Sequence, residues 1–155
     1  MKRLALRIGA VALAAALAHS LRRRRAGSGD VVRAYFDAWS EGDGDAIRDL
    51  VTDDYLAHVH TLEGMEERDA DELVDIVGGH AKAFAEVEYE LQELLCHNGH
   101  AAVRATMRAR HGETKREGEI DGIAILRLDG GRIAEEWSSW DYLGLASQLG
   151  LAKNA

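Results

Sequence analysis

The stretch Gly131-Arg132-Ile133-Ala134-Glu135-Glu136-Trp137-Ser138-Ser139-Trp140-Asp141 predicts a terminal β-strand. It follows the turn Asp129-Gly130-Gly131, and a glycine-rich turn before alternating residues is typical of a hairpin. Because strand side chains alternate between faces, one face is expected to carry Ile133, Glu135, Trp137, Ser139 and Asp141. An aromatic ring beside carboxylates favours a pocket wall, where a buried Asp141 could carry a proton. Alternatively, the carboxylates lie in water and Trp137 alone packs inward.

Length and charge limit the class of protein. A chain of 155 residues has room for one domain with a sizeable core. The net charge of −8 argues against a nucleic-acid-binding surface, because phosphate binding requires a concentrated positive field. Cys96 is the single cysteine, so no internal disulfide can form.

The first 27 residues differ from the rest and are predicted to form an arm outside the domain, which spans residues 28–155. An apolar run from Ile8 to Ala18 follows basic residues and precedes Arg22–Arg25. This pattern leaves three alternatives: a membrane anchor, a cleaved signal, or an extension outside the fold. Positive charge directly after an apolar segment tends to stay in the cytoplasm. We therefore expect a cytoplasmic protein, with residues 1–25 as the candidate membrane contact.

Hydrophobic periodicity after residue 30 predicts an α+β domain. Val31, Val32, Tyr35, Phe36 and Trp39 recur at helical spacing. Further helices are expected at residues 45–51, 70–85 and 144–149. Strands are expected at 55–62, 87–96, 101–111 and 117–128, before the terminal strand. This order predicts a curved, mostly antiparallel sheet with about three helices on its concave face, a shape that suits a small-molecule pocket.

Alternation in residues 101–111 places Val103, Ala105, Met107, Ala109 and His111 on one face. The opposite face carries Arg104, Arg108 and Arg110, which are expected to pair across strands with Glu88, Glu90 and Gln92.

Histidine positions suggest a polar site. His58-Val59-His60 places two imidazoles on one strand face. A metal ion would need further ligands from His111, Glu135 or Asp141, and no compact ligand motif is present, so no metal site is predicted. Alternatively, a backbone carbonyl satisfies His58 in the core and His60 lies at the surface. There is no phosphate loop, Ser-His-Asp signal or CxxC motif, and no cofactor is expected.

Several blocks of the sequence resemble the SnoaL-like polyketide cyclase family. They are Tyr35-Phe36-Asp37-Ala38-Trp39-Ser40-Glu41-Gly42-Asp43, then Asp53-Asp54-Tyr55-Leu56-Ala57-His58, then Asp129 to Trp137 with Asp141, and finally Gln148-Leu149-Gly150. The family belongs to the nuclear transport factor 2-like superfamily of cone-shaped α+β folds. The resemblance covers about residues 30–151 and implies the same fold.

The resemblance implies a cofactor-free enzyme acting on a small hydrophobic carbonyl or ester substrate. Asp141 matches the family's acid/base aspartate, and His58 matches a histidine that would polarise the carbonyl oxygen with help from His111 or Arg127. The remaining expected substrate contacts are Trp39, His60, Glu135 and Trp137. The family's Gly-Thr-His-x-Gly element is replaced here by Arg110-His111-Gly112-Glu113.

A second interpretation remains open, because the superfamily also contains proteins without catalytic activity. The chain would then be a small-molecule-binding or dimerisation module of the same fold. In either case a homodimer is expected, formed through the open face of the sheet.

Overall fold

A computed structural model describes residues 27–61 and 63–151. Within them the chain forms four helices, named α1 (Ser28–Glu41), α2 (Gly44–Leu50), α3 (Ala70–Ala83) and α4 (Tyr142–Gln148). The six strands are β1 (Val51–Thr61), β2 (Gly64–Asp69), β3 (Phe84–His97), β4 (His100–His111), β5 (Glu117–Asp129) and β6 (Arg132–Trp140). The predicted α+β class is confirmed, and the four helices lie close to their predicted positions, against about three expected on the concave face. The proposed membrane contact through residues 1–25 lies outside the described residues.

Helix α1 supplies the aromatic residues that cover the sheet. Its buried residues are Val31, Val32, Tyr35, Phe36 and Ala38, which fall on one side at helical spacing. The helix ends at Gly42, whose φ of 67° lies in the left-handed region that glycine adopts readily. The N–H of Gly42 bonds back to the carbonyl of Ala38 and fixes this end.

The six strands form one sheet in the order β2-β1-β6-β5-β4-β3. Strands β3 to β6 form the predicted antiparallel meander, and β1 and β2 form an antiparallel hairpin. Strand β6 also pairs with β1 in parallel. Because β6 lies between β1 and β5, its side chains are central on both faces of the sheet. The inner face is the one covered by the helices, and the outer face is the opposite one.

Strand β2 was missed in the sequence. Its residues Gly64-Met65-Glu66-Glu67-Arg68-Asp69 are mostly charged and show no apolar alternation. This composition is typical of an edge strand, because charges at a sheet edge prevent pairing with other chains. The omission matters because β2 carries Arg68 to the wall of the pocket described below.

Strand β6 contains a β-bulge that reverses its predicted faces. Arg127 pairs with Glu135, but the adjacent Leu128 pairs with Ile133, so Ala134 is an extra residue. Ile133 and Ala134 are both buried, and so are Glu136 and Ser138 farther along. The prediction that Ile133 shares a face with Glu135 and Trp137 was therefore wrong. Trp137 does not pack inward either, since it is 38% exposed on the outer face.

Strand β4 shows the alternation predicted for it. Val103, Ala105, Met107 and Ala109 are buried. On the other side, Arg108 pairs with Glu90 and Glu119, and Arg110 pairs with Glu86. Cross-strand ion pairing was expected for these arginines. Of the expected partners Glu88, Glu90 and Gln92, only Glu90 forms an ion pair with these arginines within the described residues. The other partners are Glu86 and Glu119, together with Glu93, which pairs with Arg104.

Candidate functional site

A pocket lies between the inner face of the sheet and the helices, and it has two connected parts. The larger part, here called the chamber, has a volume of about 410 Å³. The smaller part, here called the deep end, has a volume of about 20 Å³ and contains Glu136 and Ser138 from β6. Both parts are lined by Trp39, Arg68, Tyr89 and Tyr142. The deep end has room for about one water-sized group.

Glu136 is the buried carboxylate of the deep end. It is 7% exposed, and its Oε2 accepts hydrogen bonds from the Tyr35 hydroxyl at 2.6 Å and from the Tyr55 hydroxyl at 3.0 Å. The two hydroxyls are 3.3 Å apart. The shorter bond lies within the range typical of a hydroxyl bonded to an ionised carboxylate. No arginine, lysine or histidine of the described chain forms an ion pair with Glu136.

The tyrosines around Glu136 are held in their neutral form. Burial raises the pKa of Tyr35 well above its ordinary value of 10.0, and the nearby Glu136 carboxylate raises it further. The same two causes, in the same order, raise the pKa of Tyr55. Burial also raises the pKa of Tyr142 to about 12. Near neutral pH all three phenols are therefore uncharged, and those of Tyr35 and Tyr55 donate hydrogen bonds to Glu136.

The hairpin of β1 and β2 forms the polar wall of the chamber. Arg68 donates from Nη2 to Glu66 at 2.9 Å, and the Thr61 hydroxyl donates to the other oxygen of Glu66 at 3.1 Å. The Arg68 side chain is 24% exposed and extends between the chamber and the deep end. The ion pair holds one edge of the guanidinium in place.

Helix α3 and the aromatic residues form the opposite wall. The His80 ring lies 5.0 Å from the ring of Trp39 and 5.7 Å from that of Phe84. Its Nδ1 atom is buried and has no hydrogen-bond partner among the described residues. Burial lowers the pKa of His80, so its imidazole is uncharged at neutral pH. Phe84, Met107 and Leu145 complete the apolar lining.

Asp141 does not reach this pocket. It is exposed, and as the N-cap residue of α4 its carboxylate accepts a hydrogen bond from the Gly144 amide at 2.8 Å. It lines a shallow cleft of about 320 Å³ beside Arg104 and Asp121. The expectation that Asp141 is buried beside Trp137 was wrong, because β6 ends at Trp140 and the chain turns into a helix there.

Four of the predicted site residues do meet, but on the outer face. His58 stacks on Trp137 with ring centroids 5.4 Å apart, and its Nε2 lies 3.1 Å from Glu135. Arg127 donates to the same carboxylate at 3.0 Å. The hydrogen bond from His58 and then that from Arg127 lower the pKa of Glu135. This cluster is an ion-paired surface network, separated from the pocket by the sheet.

The other predicted residues are dispersed. His60 is exposed on the outer face, where it pairs in register with Ser139 and Met65. His111 accepts a hydrogen bond from the Thr114 amide at 3.1 Å and lies near Phe84. Of the eight residues proposed from the sequence, Trp39 alone lines the chamber and the deep end.

The residues missed by sequence reasoning are Glu136, Tyr35, Tyr55 and Arg68. Tyr35 belongs to the helical apolar pattern and Tyr55 to a block that resembles the family, but neither was predicted to line a site. A signal for Glu136 existed in the pair Glu135-Glu136, since one of two consecutive strand residues must face inward. The bulge at Ala134 determines that Glu136 is the residue that faces inward.

A larger groove, of about 610 Å³, lies on the outer surface among β3, β4 and β5. Its arginines, Arg108 and Arg110, are paired with glutamates. Exposed ion pairs of this kind are common surface features, and this groove lacks the aromatic lining of the pocket. The pocket around Glu136 is therefore the better candidate site.

The fold is a six-stranded curved sheet closed on one side by helices around a small-molecule-sized pocket, as in the nuclear transport factor 2-like superfamily. The chain belongs to the SnoaL-like domain family, which matches residues 32–136. No curated protein matches the chain.

Solved structures with the same fold include two proposed polyketide cyclases and one epoxide hydrolase. IdmH from Streptomyces antibioticus, a proposed polyketide cyclase, is 22% identical with a TM-score of 0.71, over 81% of this chain and 99% of that chain. A proposed polyketide cyclase from Bacillus cereus is 22% identical with a TM-score of 0.69, over 80% of each chain. An LEH-like epoxide hydrolase from Mycobacterium tuberculosis is 15% identical with a TM-score of 0.62, over 77% and 86%. At these identities the likeness shows the fold.

Over residues 27–61 and 63–151, no helix is both long and apolar enough to span a membrane. Within the same residues, no cluster of three or more histidine, cysteine, aspartate or glutamate side chains is arranged to hold a metal ion.

Proposed function

We propose that the protein binds a small hydrophobic carbonyl or ester compound in the pocket and catalyses proton transfer on it without a cofactor. The observation that supports this proposal is the buried carboxylate of Glu136, hydrogen-bonded by two neutral phenols at the end of a chamber with one aromatic and apolar wall. A desolvated carboxylate beside hydrogen-bond donors is suited to general acid–base catalysis. Glu136 replaces Asp141 as the acid/base in this proposal.

The reaction would begin with the apolar body of the substrate in the chamber and its carbonyl end at the mouth of the deep end, directed at Glu136. Glu136 removes a proton from the carbon next to the carbonyl. The electron pair of that C–H bond forms a C=C bond to the carbonyl carbon, and the π pair of the C=O bond moves onto the carbonyl oxygen. Arg68, which lines both parts of the pocket, stabilises the resulting negative charge. Return of the proton from Glu136 to a different carbon of the enolate completes an isomerisation. Alternatively, the first carbon attacks a second carbonyl, whose oxygen takes the proton from Glu136, and this completes a ring closure.

Exchange of substrate hydrogen with deuterium tests this proposal. Hydrophobic ketones and esters are incubated with the protein in D2O, and loss of the proton signal is followed by NMR. We expect exchange with the wild type and a decrease on the order of 100-fold for Glu136→Gln. Asp141→Asn is the matched control and should exchange at the wild-type rate. The proposal is wrong if Asp141→Asn abolishes exchange while Glu136→Gln retains it.

We also propose that the protein is a homodimer in which a second copy covers the outer face. Ile123, Ile125 and Trp137 are 60%, 50% and 38% exposed there, and Ile125 pairs in register with Trp137. Exposed apolar residues that touch across strands favour a contact surface. Glu135 and Arg127 beside them carry opposite charges, so two copies related by a twofold axis can match their charges.

Light scattering during gel filtration tests the dimer. The wild type should elute as a dimer and Trp137→Lys as a monomer, because the new charge would be buried in the contact. Leu143→Lys changes an exposed apolar residue of α4, which packs on the inner face, and should remain dimeric. A monomeric wild type, or a dimeric Trp137→Lys, would contradict the proposal.

A further inference from the structure

Glu136 differs from other acidic residues of the described chain in combining burial with the lack of a cationic partner. It is 7% exposed, and its described hydrogen-bond partners are the two neutral phenols of Tyr35 and Tyr55. By contrast, Glu135 is paired with Arg127 and His58. A buried carboxylate without a counter-charge is costly, so a positively charged partner would stabilise it strongly.

The pocket as a whole has an excess of negative charge. Its carboxylates are Glu136 in the deep end and Glu63 and Glu66 in the chamber. Its one lining cation among the described residues is Arg68, and that charge is matched by Glu66 at 2.9 Å. His80 contributes no positive charge because burial lowers its pKa. A neutral or cationic ligand is thus favoured over an anionic one.

The lining around the carboxylate is also suited to a cation. Trp39, Tyr89 and Tyr142 line both parts of the pocket, and Trp39 and Tyr89 lie 6.0 Å apart in an edge-to-face arrangement. Aromatic faces attract ammonium groups, and the attraction increases when water is excluded. The rings therefore provide a path for a cation from the chamber to Glu136.

The size of the deep end selects the type of cation. Its volume of about 20 Å³ admits one water-sized group. A primary ammonium group has that size and carries three N–H donors. Three oxygen atoms lie close together there, namely Glu136 Oε2 and the hydroxyl oxygens of Tyr35 and Tyr55. A trimethylated ammonium group is several times larger.

We infer that the pocket binds primary amines, with the ammonium group paired to Glu136 in the deep end and an apolar substituent in the chamber. This inference shares its site with the proposed reaction but concerns binding alone. It would hold for a binding module without catalytic activity. It adds a ligand class that differs in charge from neutral ketones and esters.

Titration calorimetry with three six-carbon ligands tests the inference on the full chain. Hexylamine is the expected ligand at pH 7.5, 1-hexanol is its neutral counterpart, and hexyltrimethylammonium is its oversized counterpart. Hexylamine should bind at least about tenfold more tightly than either, because loss of one member of a buried charge pair costs that much or more. Equal affinity for 1-hexanol would contradict the charge pairing, and equal affinity for hexyltrimethylammonium would place the cation outside the deep end.

Two variants locate the charge that is responsible. Glu136→Gln should abolish the preference for hexylamine over 1-hexanol, whereas Glu63→Gln removes the same charge at the exposed rim and should change the affinity less than about threefold. If Glu63→Gln and Glu136→Gln have equal effects, the inference is wrong. Because the ligand series is decisive on the wild type, the test does not depend on the stability of either variant. If the protein exchanges ketone hydrogens with deuterium but does not bind hexylamine, this inference is wrong, whereas the proposed reaction remains supported.

Discussion

Glu135 and Glu136 are consecutive in β6, but the sheet gives them opposite surroundings. Glu135 lies on the outer face, where His58 and Arg127 pair with it and lower its pKa. Glu136 lies on the inner face, where two neutral phenols bond to it and no cation does. The outer face thus satisfies its charges within the chain, whereas the inner face leaves a carboxylate available for a ligand.

The charged residues of the two faces also differ in their effect on the stability of the fold. Exposed ion pairs contribute little to stability, and their loss is tolerated. A buried carboxylate without a counter-charge lowers stability, and such a residue is most readily explained by a role in binding or catalysis. The comparison therefore favours the inner face as the functional one, although most of the residues proposed from the sequence lie on the outer face.

The largest expected effect concerns packing on the inner face. Gly122 lies under the Trp140 ring, and an added Cβ would come within 2.1 Å of it. Gly122→Ala should displace Trp140 from the pocket and lower the free energy of unfolding by about 3 kcal/mol. Urea denaturation followed by fluorescence measures this change.

The control is a glycine with free space around it. Nothing lies within 4 Å of a Cβ added at Gly78 in α3. Gly78→Ala should stabilise the protein by about 1 kcal/mol, because alanine favours a helix. Equal effects of the two alanine substitutions would contradict the close packing of Trp140 on Gly122.

A smaller effect is expected from removing one phenol hydroxyl of the deep end. Tyr35→Phe deletes a 2.6 Å hydrogen bond to Glu136 and should cost about 2 kcal/mol of unfolding free energy. Tyr142→Phe removes a hydroxyl that has no hydrogen bond among the described residues, and should cost less than about 1 kcal/mol. A reversed order, measured by urea denaturation, would show that the Glu136 network does not support the fold.

The smallest effect concerns acid stability. Burial lowers the pKa of His80 from its ordinary value of 6.5, so the unfolded chain binds this proton more tightly than the folded one. Above pH 6.5 both states are uncharged and His80 has no effect. As the pH falls below that value the unfolded chain takes up the proton first, and stability falls until the pH reaches the folded pKa.

Urea midpoints between pH 7.5 and pH 5 measure this dependence. His80→Phe should show a weaker loss of stability on acidification than the wild type, because the titrating group of the chamber wall is absent. His60→Phe changes a histidine on the outer face and should retain the wild-type dependence. An unchanged pH dependence in His80→Phe would contradict the burial of His80.

The sequence predicted most of the fold and little of the site, for physical reasons that particular residues illustrate. Alternation in β4 assigned Val103 and Met107 correctly to the core, because that strand pairs regularly along its length. In β6 the bulge at Ala134 reversed the faces, and a bulge depends on pairing with β5 rather than on local sequence. Strand β2 was missed because its charged residues lack an apolar pattern, and Arg68 was missed with it.

Asp141 illustrates a different kind of error. The resemblance to a family placed an acid/base residue there, although aspartate is also a preferred N-cap residue and the following residues form a helix. A local structural role was available in the sequence and proved to be the one adopted. Matching a motif therefore did not establish that the side chain faces the pocket.

The three tryptophans provide the most direct test of the central claim, that ligands bind on the inner face. Trp39 and Trp140 line the pocket, and Trp137 lies on the outer face. In a two-dimensional NMR spectrum of ¹⁵N-labelled protein, a saturating hydrophobic ketone or hexylamine should shift the indole N–H signals of Trp39 and Trp140 and leave that of Trp137 unchanged. A shift confined to Trp137 would place the binding site on the outer face and contradict the account.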